Sequence, residues 1–340
     1  MNKYDFFDKI QHIDNSSQWH IVNGENIYLE STNGLYSAEE GSKTLFISAL
    51  LGNTKLPVHH LAFSGLQIRA GFKQAEFFDS PAVSIIDKVD ALNTGLHYCN
   101  PEKAVTCLER ENYYLAFHSS KYIPVKQSDI YNLSDEILGK LEGEFIEGEY
   151  TLEQTVAQYQ IKGKSILDTI SNRLNRYGVK NTSIALSLFI VTSDVAVSGI
   201  NAYPRCTVNG MDLPLCKTVK APHLGENPLD KVIEGLNNLV PSIQTSIEKM
   251  GKLQSIELDY PLDVANKLVK KMQLPKKIRK ELNTELIAEF SGITATAFDV
   301  YLTICNILSC IDNLIEKCVI ENKIANVLDM SISEWNSLDK

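Results

Sequence analysis

The sequence predicts an α+β fold, with a mainly antiparallel sheet portion in the N-terminal and central regions and a helical C-terminal third. Three observations carry this prediction. Short runs of β-branched and aromatic residues, separated by turn residues, dominate the first 125 positions and return between 183 and 215. From Pro228 onward, apolar residues recur at the spacing of a helix. No segment of about 20–50 residues repeats along the chain, so a solenoid is excluded.

Strands and turns are predicted for most of the first 125 residues. Asn23-Gly24 has the composition of a hairpin turn, here between a strand that begins at Trp19 and another that begins at Asn26. A helical piece is expected to interrupt the strands at 81–92. The other strand candidates, rich in apolar and β-branched residues, are 44–51, 61–70 and 113–118.

The central region is predicted to combine two helices with further strands. The first helix covers about 128–141, with Ser128 as its N-cap. The second helix is expected over 164–177, and a run of β-forming residues follows at 183–197. The strongest hairpin signal in the chain is Asn209-Gly210, because both positions favour a two-residue turn.

Helices are predicted throughout the C-terminal third. One apolar stripe continues from Leu229 to Met250, although Pro241 must split or kink the helix that carries it. Two helices flank Pro275, and a long one is expected over about 294–319. We therefore divide the chain into a sheet-rich α+β domain at 1–225 and a helical region at 226–340 that packs on it.

Composition and charge are those of an ordinary globular protein. The formal charge of −9, from 33 basic and 42 acidic residues, disfavours a protein that coats nucleic acid with its whole surface. The first residues lack the apolar core of a signal peptide, and the longest apolar run, 184–191, is too short to span a bilayer. Seven irregularly spaced cysteines indicate reduced thiols. We expect a cytoplasmic protein with no membrane partner, and its oligomeric state stays open.

Two metal-binding hypotheses are weak on spacing alone. His59 and His60 are adjacent, and neighbouring residues on a strand point to opposite faces. The Asn209-Gly210 turn places Cys206 opposite Leu213, so Cys216 lies out of register with it. The chain contains no C-x₂-C pair of the kind that zinc sites use. We predict no metal site.

Catalytic motifs are equally incomplete. Gly163-Lys164-Ser165 lacks the earlier glycine that a phosphate-binding loop requires, so it is interpreted as a plain helix start. No G-x-S-x-G nucleophile turn occurs, and His118 beside two serines does not define a triad. We predict no catalytic residue and no cofactor. An enzyme built from dispersed residues, such as a hydrolase or a metal-dependent enzyme, stays open as a third alternative.

The largest charge asymmetry lies between Lys267 and Glu281, where seven basic residues and one acidic residue give a local charge of +6. The first three cations fall on one side of a helix, and the other four occupy the start of the helix after Pro275. Cations at a helix start oppose the helix dipole, and a phosphate backbone would offset that cost. A solvated helical hairpin whose lysines provide solubility is the alternative. The predicted nucleic-acid-binding residues are Lys267, Lys270, Lys271, Lys276, Lys277, Arg279 and Lys280.

Four stretches, in order, resemble the phage and plasmid proteins of the domain-of-unknown-function family 932. They are the segment 115–125 followed by a helix, the segment 190–199, the path from Leu213 through His223 to the next helix, and the segment around Trp335. One departure is that Cys206 is followed by Thr207, where many relatives have Cys-Asn. The resemblance implies a gene carried by a mobile element, near recombination, single-strand-binding or anti-restriction genes. It implies no catalytic residues.

Two functions from different classes follow. The preferred one is a non-enzymatic phage or plasmid accessory protein that assists DNA metabolism or recombination through phosphate contacts, with single- or double-stranded DNA as its partner. The alternative is an anti-defence or anti-restriction protein that binds and inhibits a host immune factor. Its motivation is the segment 129–153, where eight acidic residues face one lysine and could meet a basic partner.

Overall fold

The predicted α+β class is confirmed by the computed structural model. The structure describes residues 1–31, 47–73, 76–180, 183–195, 198–215, 217–225 and 227–340. Antiparallel sheets occupy the N-terminal and central parts, and helices fill the C-terminal region.

The N-terminal part places one helix before a lobe of two small sheets. One sheet has the order β1-β5-β6 and the other the order β2-β3-β4, and neighbouring strands in both are antiparallel. The predicted strand at 44–51 is confirmed from Ile47 onward, and its first three positions lie outside the described residues. The elements are α1 (Lys3–Ser16), β1 (Gln18–Asn23), β2 (Ile27–Ser31), β3 (Ile47–Leu51), β4 (Thr54–Pro57), α2 (His60–Arg69), α3 (Glu76–Asp79), α4 (Ile85–Thr94), β5 (Ala104–Arg110) and β6 (Tyr113–Ser119).

Two predictions in this lobe are wrong. Asn23-Gly24 does not form a hairpin turn, because a 3₁₀ turn follows β1 and sends β2 into the other sheet. The segment 61–70 is helix α2 rather than a strand. His59 Nδ1 caps its start by accepting the Leu61 amide at 3.3 Å, and the helix crosses β6 at Gly65. A Cβ on Gly65 would lie 2.5 Å from the Phe117 carbonyl oxygen, so only glycine permits this crossing.

The central sheet confirms the hairpin prediction and most of the predicted strand at 183–197, which forms a strand over Ile184–Thr192; residues 196 and 197 lie outside the described residues. Its order is β11-β10-β9-β8-β7, with β12 also paired to β10, and every pairing is antiparallel. Cys206 pairs with Leu213 as predicted, and Asn209 and Gly210 both have the positive φ that a two-residue turn of this type requires. The elements are α5 (Gln127–Gly139), β7 (Gly143–Tyr150), β8 (Thr155–Ile161), α6 (Lys164–Arg176), β9 (Ile184–Thr192), β10 (Ile200–Val208), β11 (Met211–Leu213) and β12 (Val219–Ala221).

The C-terminal third is helical, as predicted, but the prediction of one long helix over 294–319 is wrong. It is broken by a 3₁₀ turn at Ile307–Cys310, and Asn313 then caps a new helix by accepting the Glu316 amide. The break near Pro241 and the helix pair around Pro275 are confirmed. The elements are α7 (Pro228–Asn237), α8 (Leu239–Lys252), β13 (Glu257–Leu258), α9 (Pro261–Lys271), α10 (Lys276–Phe290), β14 (Ala295–Thr296), α11 (Ala297–Asn306), α12 (Leu314–Ala325) and α13 (Ile332–Leu338).

Two large hydrophobic clusters organise the molecule. One joins α1 to one face of the central sheet and to the C-terminal helices. The other lies entirely within residues 27–117. We call the described part of residues 18–119 the N-terminal lobe, and α1 together with residues 127–340 the body. The division at residue 225 stays a prediction.

The connection between α1 and α5 depends on one carboxylate. The Asp14 carboxylate accepts hydrogen bonds from the backbone amides of Gln127 at 2.9 Å and Ser128 at 2.8 Å. Asp14 therefore caps the start of α5, although it lies more than 100 residues earlier in the chain. The prediction that Ser128 is the N-cap is wrong, because Ser128 lies inside the first turn and the N-cap is Lys126.

Replacing Asp14 with alanine is expected to lower the free energy of unfolding by about 1–2 kcal/mol, because two amides of the first helical turn lose their acceptor. Ser128→Ala is the matched control: it keeps both amide donors and the Asp14 acceptor, and alanine is the better helix former, so it is expected to cost less than about 0.5 kcal/mol. Urea titrations of the two variants would compare them. Equal losses would contradict the assignment of the cap to Asp14.

Candidate functional site

The seven predicted cations lie at the corner where α9 ends and α10 begins. All seven side chains are exposed, while the apolar residues between them are buried, including Leu268, Leu274 and Ile278. The two helices pack against each other, so the corner gathers the whole segment on one part of the surface. The seven residues are therefore exposed neighbours along one helical corner, and their role in binding stays a prediction.

Two of the seven cations are partly engaged by α13. Lys267 Nζ donates to the Leu338 carbonyl at 2.5 Å, at the end of α13 where the helix dipole attracts a cation. Lys271 Nζ lies 3.8 Å from Glu334, and both side chains are more than half exposed, so solvent weakens this pair. These contacts reduce the attraction of Lys267 and Lys271 for an external anion but leave both accessible.

The other five cations make no ion pair with any residue that the structure describes. Helix α10 begins after Pro275 with no side-chain cap and no acidic residue in its first turn. Its first amides and the cations beside them therefore face solvent without compensation. We call these five residues the basic corner: Lys270, Lys276, Lys277, Arg279 and Lys280.

The segment 267–281, which holds the basic corner, contains no aromatic residue. Phe290, the next aromatic residue along the chain, is buried in the body. Tyr260 is exposed, but it precedes α9 at the end remote from Lys270. Base stacking is the main device by which proteins hold single strands, and this segment supplies no ring for it.

The acidic segment 129–153 is divided between helix α5 and edge strand β7. Three of its eight carboxylates are paired with lysines of the protein itself: Asp135 with Lys3, Glu136 with Lys140, and Glu144 with Lys162. Glu147 and Glu149 on β7 are exposed and make no ion pair within the described residues. The negative surface available to a partner is smaller than the sequence implies.

A buried polar cluster, which the sequence analysis missed, lies between the N-terminal lobe and the body. Arg110 of β5 forms an ion pair with Asp194, which follows β9, and the two side chains are only 2% and 6% exposed. Gln127 Nε2 donates to the same Asp194 carboxylate oxygen at 2.6 Å. Arg110 Nε donates to Ser17 Oγ at 2.8 Å. Asp194 thus holds groups from the lobe and from α5 together.

Aromatic and imidazole rings stack beside this ion pair. The His118 and Tyr122 rings are 3.8 Å apart between centroids and nearly parallel, and the His223 ring lies 4.9 Å from Tyr122. Trp19 stacks on Tyr122 at 5.3 Å. Burial lowers the pKa of His118 and of His223 and raises that of Tyr122, so all three rings are neutral near pH 7.

No sequence signal pointed to this cluster. Arg110 and Asp194 are 84 residues apart, and each is an ordinary residue in its local segment. Only the occurrence of Asp194 at the end of the apolar run 184–192 distinguishes it. Because the side chains are already paired and buried, the cluster is built to hold two parts of the protein together rather than to turn over a substrate.

The histidine pair at 59–60 differs from its prediction. The residues begin α2 rather than a strand, and their rings are 4.3 Å apart instead of pointing to opposite faces. Burial, together with the neighbouring ring of His60, lowers the pKa of His59 to about 4. Within the described residues no group of three His, Cys, Asp or Glu side chains is placed to hold a metal ion. Cys216 lies outside those residues.

Comparisons with protein-family models, with curated proteins and with solved structures found no match. In the part of the chain that the structure describes, no helix has the length and apolar character needed to cross a membrane. The resemblance to the domain-of-unknown-function family 932 therefore stays a prediction.

Proposed function

We propose that this protein is a cytoplasmic, non-enzymatic accessory protein of a phage or plasmid that binds the phosphate backbone of DNA through the basic corner. The observation that carries the proposal is the gathering of five exposed cations without ion pairs at one helical corner of an otherwise acidic chain. Phosphate contacts position a protein on DNA but carry no sequence information. The absence of nearby exposed aromatic residues supports binding that is independent of sequence.

The test is a mobility-shift titration with duplex DNA at two salt concentrations. We expect the affinity to fall by several hundredfold between about 50 and 200 mM salt if five cations each displace a counterion. A variant with glutamine at all five positions of the basic corner is expected to lose detectable binding and most of this salt dependence.

A control variant distinguishes the effect of the basic corner on DNA affinity from the effect of the net charge of the whole protein. Glutamine at five other exposed lysines changes the net charge by the same amount but leaves the basic corner intact: Lys103, Lys164, Lys180, Lys231 and Lys252. We expect this control to keep most of the affinity. Equal affinities for the two variants would show that the basic corner is not the binding surface.

The inhibitor function is the second candidate, and exposed Glu147 and Glu149 on edge strand β7 are the observation that favours it. Met1 occupies the backbone groups of Gly148 at this edge, but the exposed carboxylates on either side of it can meet a basic partner, including a host nuclease or immune sensor. Pull-down from host lysate with a Glu147→Gln/Glu149→Gln variant as the control would test it. A captured partner that both proteins retain equally would contradict a role for β7.

A further inference from the structure

The N-terminal lobe is inserted into the body through two neighbouring connections. It has its own hydrophobic cluster, whereas α1 before it and α5 after it both belong to the cluster of the body. The two connections lie side by side, because Asp14 near the end of α1 binds the first amides of α5. A unit with a separate core and adjacent connections can move as one piece about them.

The junction between the lobe and the body combines apolar and polar contacts. A small apolar cluster packs Val195 of the body against three residues of the lobe, Leu108, Leu115 and Ala116. The Arg110–Asp194 ion pair and the stacked rings are among its polar contacts. No residue that the structure describes forms a hydrogen bond with the buried Tyr122 hydroxyl in this junction. A buried hydroxyl that is left unpaired weakens the closed junction.

Both histidines in the junction are held in one neutral form. His118 Nε2 lies 2.7 Å from the Asp194 carbonyl oxygen, and His223 Nδ1 lies 3.2 Å from the Ile123 carbonyl oxygen. A carbonyl can only accept, so each of these nitrogens carries the hydrogen and the other nitrogen of each ring carries a lone pair. The second nitrogen of His223 is 3.5 Å from the Thr192 hydroxyl.

We propose that this junction is an acid-sensitive latch, which holds the N-terminal lobe on the body while His118 and His223 are neutral and releases it when they take up protons. The charged groups that face the two rings in the described residues are Arg69 from α2 and Asp194 from the end of β9. The Asp194 carboxylate is already bound by Arg110 and Gln127, so little negative charge is left to compensate new imidazolium ions.

The direction of the pH effect follows from burial. Burial lowers the pKa of both histidines in the closed state, whereas in the open, solvated state they return towards the usual value of about 6.5. The open state therefore binds more protons, and it gains population as the pH falls below about 6.5. Each histidine that titrates raises the ratio of open to closed molecules by up to about tenfold for each pH unit below its pKa in the open state.

Hydrogen exchange on the unmodified protein tests the latch directly. Amide protection is measured at about pH 7.5 and about pH 5.5 and corrected for the intrinsic pH dependence of exchange. We expect the Ile123 amide, which donates to the His223 carbonyl at the junction, to lose protection by up to about a hundredfold. The amides that pair β5 with β6 inside the lobe, and those of β8 and β9 in the body, should keep theirs. Unchanged protection at Ile123, or the same loss throughout the chain, would overturn the proposal.

A variant that cannot titrate provides the second test. His118→Gln and His223→Asn keep an N–H donor at the position of each donating nitrogen but accept no proton near pH 6. We expect the folded double variant to lose the acid response, and a retained response would refute the role of the two rings.

Fluorescence gives an answer even where the double variant does not fold. The chain has two tryptophans: Trp19 in the junction and Trp335 buried in the body. With Trp335→Phe, acid should shift the emission of Trp19, whereas with Trp19→Phe the emission of Trp335 should stay constant. Equal shifts in the two variants would mean global unfolding and contradict the latch.

Discussion

Replacing Asp194 with alanine is expected to lower the free energy of unfolding by about 3–5 kcal/mol. The substitution leaves the Arg110 guanidinium, 2% exposed, without its carboxylate, and breaking a buried ion pair from one side costs this much because an uncompensated charge stays buried. Gln127 also loses the acceptor of its side-chain amide. Chemical denaturation followed by circular dichroism would measure the loss.

The matched control for Asp194→Ala is Glu136→Ala, which removes one partner of an exposed ion pair. Glu136 and Lys140 are both 68% exposed, so water replaces the lost contact and the expected cost is below about 0.5 kcal/mol.

A double-mutant cycle that combines Asp194→Ala with Arg110→Met would isolate the pair itself. We expect a coupling energy of about 1–3 kcal/mol. Additive losses would show that Asp194 stabilises the junction through other contacts.

The sequence predicted elements whose structure is decided locally. The Asn209-Gly210 turn fixes the register of its hairpin by its own backbone geometry, and Cys206 pairs with Leu213 as a result. The apolar stripes of α7 to α10 are also local, since a helix repeats its pattern within a few residues.

The wrong predictions concern partners that are distant in sequence. The strands on either side of Asn23-Gly24 part because β1 pairs with β5, about 80 residues further along the chain. Helix α2 was predicted as a strand because its apolar residues fit both patterns, and the deciding contact is the close approach of Gly65 to Phe117.

The basic corner and the junction cluster differ in how far the sequence predicts them, again because of partners that are distant in sequence. The clustering of the basic corner was predictable, because its cations fall within one short stretch, 270–280, and their exposure follows from the positions of the buried residues between them. The junction cluster was not, because Arg110, Gln127 and Asp194 come from three separate segments and acquire meaning only through their contacts. Charge density can be read from a sequence, but the pairing of buried polar groups requires the fold.

Trp335→Ala should be comparably destabilising at the other end of the molecule, with an expected loss of about 3–5 kcal/mol. Trp335 is fully buried in the body cluster and is the largest apolar anchor of α13. Its removal leaves a cavity that the packed helices around it can fill only in part. Thermal unfolding monitored by circular dichroism would measure the effect.

The indole nitrogen of Trp335 provides a control at the same position, because it is buried and forms no hydrogen bond with any of the described residues. Trp335→Phe removes that nitrogen and keeps most of the apolar volume, so we expect less than half of the loss caused by alanine. An equal loss in the two variants would mean that the indole N–H, rather than the ring volume, holds α13 in place. A small loss in both variants would show that α13 is not anchored through Trp335. The contacts that Lys267 and Lys271 make with α13 would then lack the buried support on which we expect them to depend.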